Sequence, residues 1–429
     1  MAKKEKKPQE LFSSNRYNDN YREVFSSGAG EMVRMSTYLN DWQAESKWMN
    51  LSMSKMSVSV ESGGPLIIQD VKSRYTFLDG TEDEAIQSTI ENGLELGSTP
   101  GAQMILTSSE VDPYRSYSMC LSDTGLYNLV MRAGVDCSSI WKSTIAEKKT
   151  MLDIGLRVSG DKQVLALYSN GKIRTFNGYN TYCILKQSEM FDAIIKMLVE
   201  QYKEYQFNGG YFSYNRTVAS FELSKESSDN ILELYSNMVE GLGSTKARDL
   251  KVQFEFSTSE VGEECATISV FLARGELRML IGSAIKIPHT NGMTTERFIE
   301  GLPQLLAKTK DLVSGLTNLI NIKVKNPVNC MVDIAKTVGL SKNPAMNAIA
   351  DFENMMNEII ESARENGEPA PVFSAHDVFY VLQEALLEMR KKSTESSTQK
   401  CEENLSRLLV AEFDWESHDV ALRPEWTTR

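Results

Sequence analysis

The chain has 429 residues and a formal net charge of −12, with 41 % hydrophobic and 24 % charged residues. This composition is typical of a globular protein with a sizeable core, and the length fits two to three domains. The acidic balance disfavours nucleic-acid binding through overall charge, although a local basic groove remains compatible with it. The six cysteines are scattered, no run approaches the roughly 18 apolar residues of a membrane span, and no apolar signal region follows the charged N-terminus. We therefore expect a cytoplasmic protein with reduced thiols and no membrane partner.

The order of the patterns predicts an α+β fold, in which a mostly antiparallel sheet body with helices precedes an all-helical C-terminal third. Residues 1–30 are polar and charged and are expected to be disordered. Residues 32–60 are expected to form an arm that packs on the main body or on a neighbouring subunit. The predicted domains are a basic tail at 1–30, an N-terminal arm and α+β region at 31–150, a sheet core at 151–290, a helical region at 291–415 and a tail at 416–429.

The first half of the chain alternates short strand patterns with helix patterns. Strands are predicted at 65–68, 73–78 and 104–107, and helices at 81–93 and 121–133. Asn170-Gly171 lies between two strand patterns, 163–168 and 172–176, where Asn-Gly is the strongest short-range signal for a hairpin. A strand at 181–185, a helix at 188–202 and a strand at 217–223 follow.

Alternating apolar and polar residues then predict an antiparallel meander with one buried and one solvated face. Its strands are expected at 250–257, 266–272, 277–281 and 285–287, after a helix that begins at Ser228. From Thr294 the apolar period is that of helices. Helices are predicted from Thr294 to Leu319 with a kink or break at Pro303, at 327–338, at 344–363, after the cap Ser374, and around 405–413.

Several short motifs occur in order between about residue 160 and residue 412. They are Tyr182-Cys183-Ile184 before a helix, Gly210-Tyr211, 216–221, 257–262, 286–290, and 376–380 with Glu384 one turn further. In this order the motifs resemble a family of phage- and plasmid-like proteins of unknown function. The resemblance implies a protein carried by a mobile element in a bacterial host. It implies no activity and no catalytic set.

The remaining motifs do not specify a catalytic or metal site. Residues 241–246 have the composition of a phosphate loop, but the order is wrong and they follow a helix, which favours a helix C-cap. His289 is interpreted as hydrogen-bonded in a turn and His376 as part of a helix cap, because neither has a second ligand at metal spacing. The carboxylates at 79–84 and 351–361 are interpreted as solvated faces, with Mg²⁺ binding as the alternative. We therefore predict no catalytic residue, no metal and no cofactor.

The stretch from Tyr168 to Arg216 holds eleven Phe and Tyr in 49 residues, interleaved with cations, whereas the whole chain is 9 % aromatic. Single-stranded nucleic acid is bound by this combination, because rings stack on bases and cations follow the phosphates. The alternative is that the rings belong to the core, since strands send about half of their side chains inward. The candidate nucleic-acid-binding residues are Lys172, Arg174, Tyr179, Tyr205, Tyr211, Tyr214 and Arg216, with Lys246 and Arg248 as a basic rim.

Three classes of function follow from these patterns. The first is a non-enzymatic protein that binds single-stranded DNA or RNA through the aromatic and basic face. The second is an acidic protein-interaction factor, acting on host machinery or defence or in virion assembly, with host or phage proteins or a second copy of the chain as partner. The third is an enzyme with a site assembled from dispersed residues. Exposed rings in a positive groove would favour the first, buried rings with an exposed apolar patch the second, and a cleft of carboxylates around His289 the third.

Overall fold

The structure, a computed structural model, describes residues 21–60, 66–69, 105–107, 116–118, 120–169, 172–202, 204–241, 250–281, 284–290, 292–391, 395–409 and 413–416. Helices and antiparallel sheets are both present in this part of the chain, which confirms the α+β class. Most strands belong to two larger sheets, and each of these sheets packs against helices.

The elements are named here in chain order. The helices are α1 (Ala29–Glu45), α2 (Asp123–Arg132), α3 (Ser138–Lys142), α4 (Ile145–Val158), α5 (Gln187–Gln201), α6 (Lys225–Gly241), α7 (Thr295–Asn321), α8 (Pro327–Val338), α9 (Lys342–Glu365), α10 (Ala375–Arg390) and α11 (Glu395–Arg407). The strands are β1 (Arg22–Phe25), β2 (Lys47–Ser52), β3 (Ser57–Val60), β4 (Leu66–Gln69), β5 (Ile105–Thr107), β6 (Ser116–Ser118), β7 (Cys120–Leu121), β8 (Gln163–Ser169), β9 (Lys172–Gly178), β10 (Tyr205–Ser213), β11 (Thr217–Leu223), β12 (Lys251–Thr258), β13 (Ala266–Arg274), β14 (Leu277–Leu280), β15 (Ile285–Ile287), β16 (Lys323–Val324) and β17 (Phe373–Ser374).

The first sheet is an antiparallel meander in the order β1-β10-β11-β12-β13-β14, and β15 pairs with β13 beside β14. Strand alternation sends one face of this sheet into the main core, where Phe221 pairs with Phe254. Helix α5 places Phe191 with its ring centroid 6.0 Å from that of Phe221, and α7 places Phe298 6.0 Å from Phe256. The meander predicted at 250–287 is therefore present, with helices on its apolar face.

Two glycines in β10 allow the N-terminal elements to approach the first sheet. Gly209 has a φ of +104° at a register shift in the β10–β11 ladder, and β1 pairs with the other edge of β10. A Cβ on Gly210 would collide with the Val218 backbone oxygen and would lie 3.2 Å from Met35 Sδ of α1. Because a side chain has no room there, glycine at position 210 allows the close approach of the β11 backbone and leaves room for Met35 of α1.

The second sheet has the order β2-β8-β9-β7-β4-β3 and is antiparallel except between β7 and β9. Strands β8 and β9 form the predicted hairpin. Helices α2 and α4 contribute Leu129 and Leu152 to a separate core that also contains Phe176 of β9. The strands predicted at 65–68 and 104–107 correspond to β4 and β5, whereas the elements predicted at 73–78 and 81–93 lie outside the described residues.

Helices dominate the chain after Thr295. Helix α8 has Pro327 in its first turn and Gly339 with a φ of +84° at its C-cap, which are the residues that favour these two positions. Helix α7 continues through Pro303 without a break. The prediction of an all-helical third is confirmed only in part, because β16 and β17 form a two-stranded antiparallel ladder within it.

The N-terminal tail and one predicted strand differ from expectation. Arg22–Phe25 fall in the segment predicted to be disordered, yet they form the edge strand β1, because the free edge of β10 offers backbone hydrogen-bond partners. Residues 181–185 are not a strand: Tyr182 makes a single bridge to Thr290 before the chain enters α5. Helix α6 begins three residues before the predicted start at Ser228.

We expect Gly210→Ala to lower the free energy of unfolding by about 1–3 kcal/mol, because the added methyl must displace the β11 backbone or α1. The control Gly301→Ala lies on α7, where a Cβ would meet no neighbouring atom within 4 Å. That variant should be neutral or up to about 1 kcal/mol more stable, since alanine restricts the unfolded chain. Urea unfolding followed by circular dichroism measures both, and equal midpoints would contradict the close approach of the β11 backbone and Met35 to Gly210.

Candidate functional site

Several of the candidate nucleic-acid-binding residues in the aromatic and basic stretch are buried in the core. Arg174 is fully buried, and its guanidinium carbon lies 3.5 Å from the ring centroid of Tyr214, which is also buried. Its Nε donates a hydrogen bond to Ser169 O. Tyr211 is buried too, and the guanidinium carbon of Arg22 lies 3.5 Å from its ring centroid. In this structure, therefore, Arg174, Tyr211 and Tyr214 do not present a surface for stacking bases.

The other candidates do not form a continuous face among the described side chains. Arg216 is half-buried and pairs with Glu264 at 2.9 Å. Tyr205 is half-buried against Phe221, whereas Tyr179 is 41 % exposed. The candidates whose side chains lie outside the described part of the chain are Lys172, Lys246 and Arg248. Binding of single-stranded nucleic acid stays a prediction. Among the described candidate side chains, Tyr179 is the one with an exposed ring.

Three of the sequence motifs meet where the two sheets join. We call this group the junction cluster: Trp48 of β2, Tyr182 after β9, Glu260 after β12 and His289 after β15. The Tyr182 ring stacks on the His289 imidazole, with centroids 5.2 Å apart and planes at 6°, and its centroid lies 5.5 Å from that of Trp48. The Tyr182 hydroxyl donates a 2.7 Å hydrogen bond to the Glu260 backbone oxygen. Tyr182 thus links the motifs at 257–262 and 286–290 to the second sheet, which contributes Trp48.

Backbone contacts fix the positions of these side chains. The Cys183 N–H donates to His289 O at 3.1 Å, and His289 Nδ1 lies 3.2 Å from Cys183 O. Because a carbonyl oxygen only accepts, the proton of the neutral imidazole is on Nδ1. Gly262 has a φ of +81°, and a Cβ there would lie 3.0 Å from Tyr182 Cε2. Glycine therefore allows the β12–β13 loop to close over the tyrosine ring.

Glu260 is a buried carboxyl group between α1 and the sheets. Its Oε2 accepts a 2.9 Å hydrogen bond from Trp42 Nε1 of α1. Burial raises the pKa of Glu260 to about 7, and the donors Trp42 and the Gln187 backbone N–H offset this rise only in part. Oε1 meets no donor in full hydrogen-bonding geometry among the described residues. Near neutral pH the carboxyl is therefore close to the midpoint of its titration.

A carboxyl that titrates near neutrality is suited to proton transfer. Burial also lowers the pKa of His289, so its imidazole is neutral at pH 7. However, Trp48, Glu260 and His289 are each at most 7 % exposed, so none of them is placed to contact a substrate. In the described part of the chain, no three His, Cys, Asp or Glu side chains lie close enough to hold a metal ion. The cluster joins α1, β2 and the first sheet.

His376 lies in the first turn of α10, as the sequence predicts, but its side chain does not cap the helix. Ser374 and Asp377 form the reciprocal capping box of α10. The His376 ring is buried instead, with Nε2 2.7 Å from the Tyr235 hydroxyl, and burial lowers its pKa to about 4. His376 is therefore a neutral member of a buried hydrogen-bonded pair.

A groove with a volume of about 630 Å³ opens between the β16–β17 ladder, the start of α8 and the middle of α9. We call it the α8–α9 groove. Its lining is mostly apolar, and the Val372 side chain is 64 % exposed beside it. The lining residues are Lys323, Val324, Lys325, Asn326, Pro327, Val328, Asn329, Met356, Ile360, Pro371, Val372, Phe373 and Glu416.

Sequence reasoning did not find this groove, because its lining comes from four separate segments of the chain: 323–329, 356–360, 371–373 and Glu416. One local signal was available. Residues 369–373, Pro-Ala-Pro-Val-Phe, are an apolar run between the polar residues 365–368 and the helix cap at Ser374. The acidic residues Asp351 and Glu361 of α9 are exposed, in agreement with a solvated face.

Comparison with known proteins found no matching family model, no similar curated protein and no similar solved structure. The resemblance to phage- and plasmid-like proteins therefore stays a prediction. Within the described residues, no helix has the length and apolar character needed to cross a membrane.

Glu260→Gln should remove a pH dependence of stability. The folded-state pKa of about 7 lies above the ordinary glutamate value of 4.5, so the folded protein binds this proton more tightly than the unfolded chain. Protonated Glu260 makes its full contribution to the free energy of unfolding below pH 4.5. This contribution, about 3 kcal/mol in total, is lost as the pH rises through 7. Glutamine keeps an acceptor for Trp42 but does not titrate.

Urea unfolding at pH values from 5 to 8 tests this prediction. The wild-type midpoint should fall more steeply with pH than that of Glu260→Gln. The midpoint of the variant relative to that of the wild type should therefore be highest at pH 8. Glu204→Gln, at an exposed position, serves as the control and should keep the wild-type slope. Parallel curves for wild type and Glu260→Gln would show that the carboxyl does not titrate in this range.

Proposed function

We propose that the chain is a non-enzymatic protein-interaction factor and that its α8–α9 groove binds an extended, acidic and apolar peptide segment of a partner protein. The observation that carries the proposal is the open apolar groove, in contrast to the closed junction cluster. If the resemblance to phage- and plasmid-like proteins holds, the partner is a host protein or a protein of the mobile element.

The groove offers apolar surface on two facing walls. Met356 and Ile360 lie four residues apart on α9 and therefore on one helix face. The β16–β17 ladder supplies the facing wall, with Val372 exposed next to it. Each Å² of apolar surface that a bound peptide removes from water contributes about 25 cal/mol to the favourable free energy of binding. Two or three side chains of an extended peptide would fill the space between the walls.

The charge of the groove favours acidic residues in the bound segment. Lys323 and Lys325 are exposed in its lining, and the N-terminus of α8 contributes the positive end of a helix dipole. Helix α8 has no acidic residue in its first turn. Glu416 is the acidic residue in the lining. The rim of the groove is therefore basic, although the whole chain has a net charge of −12. A basic rim is complementary in charge to an acidic segment.

A peptide fits the groove better than a nucleic acid does. Phe373 is the aromatic residue of the lining, and it packs edge-on against Phe352 with ring centroids 5.4 Å apart. Stacking of bases needs exposed ring faces along a basic track. The lining instead offers valine, isoleucine, methionine and proline side chains, which suit the apolar side chains of a peptide.

The test is selection from a displayed library of random peptides with the full chain as target. Enriched sequences should carry at least two apolar residues together with Asp or Glu. Val372→Asp should weaken their binding at least about tenfold, because it places a charge on the apolar wall. Lys325→Glu should weaken binding several-fold, more at low salt than at high salt.

Ile359→Asp is the matched control, because Ile359 precedes Ile360 on α9 and is 41 % exposed but does not line the groove. This variant should bind the selected peptides as the wild type does. Selected peptides that bind Val372→Asp with unchanged affinity would contradict the proposal. A single-stranded oligonucleotide that binds in a salt-sensitive way and is lost with Lys325→Glu would assign nucleic acid to the groove instead.

A further inference from the structure

The apolar stripe of helix α9 is only partly covered between Phe352 and Ala363. These two residues are buried, whereas Ile359 is 41 % exposed and Met355 is half-buried. Met355 and Ile359 are four residues apart and are therefore neighbours on one side of the helix. We call this pair the α9 edge. An apolar edge that stays accessible on an otherwise packed helix is a surface against which a second helix can pack.

A row of carboxylates borders the α9 edge. Asp351, Glu358 and Glu365 are exposed and follow one another at intervals of seven residues. Seven residues are close to two turns, so the three side chains lie in a row about 21 Å long. None of them forms an ion pair with another described residue. Arg364, a basic residue in the last turn, lies about 120° around the helix from Glu358. The edge is therefore flanked by negative charge.

The edge and the row together have the pattern of one helix of a coiled coil. Phe352, Met355 and Ile359 have the three-and-four spacing of such a helix, in which Phe352 and Ile359 occupy a positions and Met355 a d position. Asp351 and Glu358 each precede an a position, which makes them g positions. Residues at e and g determine which partner helix is accepted, because opposite charges attract and like charges repel. A row of one sign therefore selects a helix with cations.

We propose that the α9 edge binds an amphipathic helix of a partner protein, with apolar residues at its a and d positions and with Lys or Arg facing Asp351 and Glu358. The row corresponds to about four turns of such a helix. A second copy of the chain is disfavoured, because its α9 edge offers carboxylates rather than cations. The α8–α9 groove is lined by Met356 and Ile360 of the same helix but not by the edge, so this inference does not rest on the peptide proposed for the groove.

The experiment measures the binding of two fluorescein-labelled synthetic peptides to the full chain by fluorescence anisotropy. Each peptide has three heptads with leucine at a and d. The two differ only at e and g, which are Lys in one peptide and Glu in the other. The wild type should bind the Lys peptide, more weakly at high salt than at low salt, and should not bind the Glu peptide. A Lys peptide that does not bind at low salt would overturn the proposal.

Two variants test the apolar and the charged parts of the surface separately. Ile359→Asp should weaken binding of the Lys peptide at least about tenfold, because it places a charge in the apolar contact. Asp351→Lys/Glu358→Lys should exchange the preference, so that the Glu peptide binds and the Lys peptide does not. Unchanged affinity of the Lys peptide for Ile359→Asp would show that the α9 edge is not the contact.

Glu353→Lys/Glu361→Lys is the matched control for the charge reversal. It replaces two exposed carboxylates of the same helix and changes the net charge by the same amount, but both positions lie about 140° around α9 from the edge. This variant should keep the preference for the Lys peptide. Equal losses of affinity in the two double variants would show that overall charge alone attracts the peptide, and the proposal would then be wrong.

Sedimentation velocity over a range of protein concentrations tests a second copy as the occupant. Self-association of the wild type that Ile359→Asp abolishes would assign the α9 edge to a dimer interface and overturn the proposal. The test of the groove is independent, because peptides selected there depend on Val372 and should bind Ile359→Asp as they bind the wild type. Failure of either surface is therefore recognised without the other.

Discussion

The burial of the Glu260 carboxyl is the constraint on which the junction of the two sheets depends. A carboxyl removed from water must find donors or stay protonated, and the indole of Trp42 provides one donor from α1. The Glu260 backbone oxygen accepts from Tyr182, which stacks on His289. Directional polar contacts therefore determine how α1 and the β12–β13 loop sit against the second sheet, whereas apolar contacts alone would allow several arrangements.

Local signals in the sequence predicted the elements that local physics determines. The Asn170-Gly171 turn signal located the β8–β9 hairpin, and the helix predicted at 327–338 coincides with α8. The capping box of α10 follows from Ser374 and Asp377 in the same way. In each case, the deciding residues lie within a few positions of the element that they begin or end.

Features that depend on distant contacts were not predicted. Alternating rings and cations suggested a surface, but Arg174 is buried because its planar guanidinium stacks on Tyr214 and so loses less on leaving water than an ammonium would. The pairing of Arg22–Phe25 with β10 joins residues nearly two hundred positions apart. The Glu260 site likewise needs Trp42, which no local pattern connects to it.

The groove differs from the junction cluster in that its walls are fixed while its apolar surface stays open. A two-residue ladder such as β16–β17 has little stability of its own. It is held by the Ala375 N–H, which donates to Ile322 O at 2.8 Å, and by the capping box that starts at Ser374. These contacts set the position of Val372 independently of any bound segment. A wall fixed in advance reduces the conformational entropy that is lost when a partner segment binds.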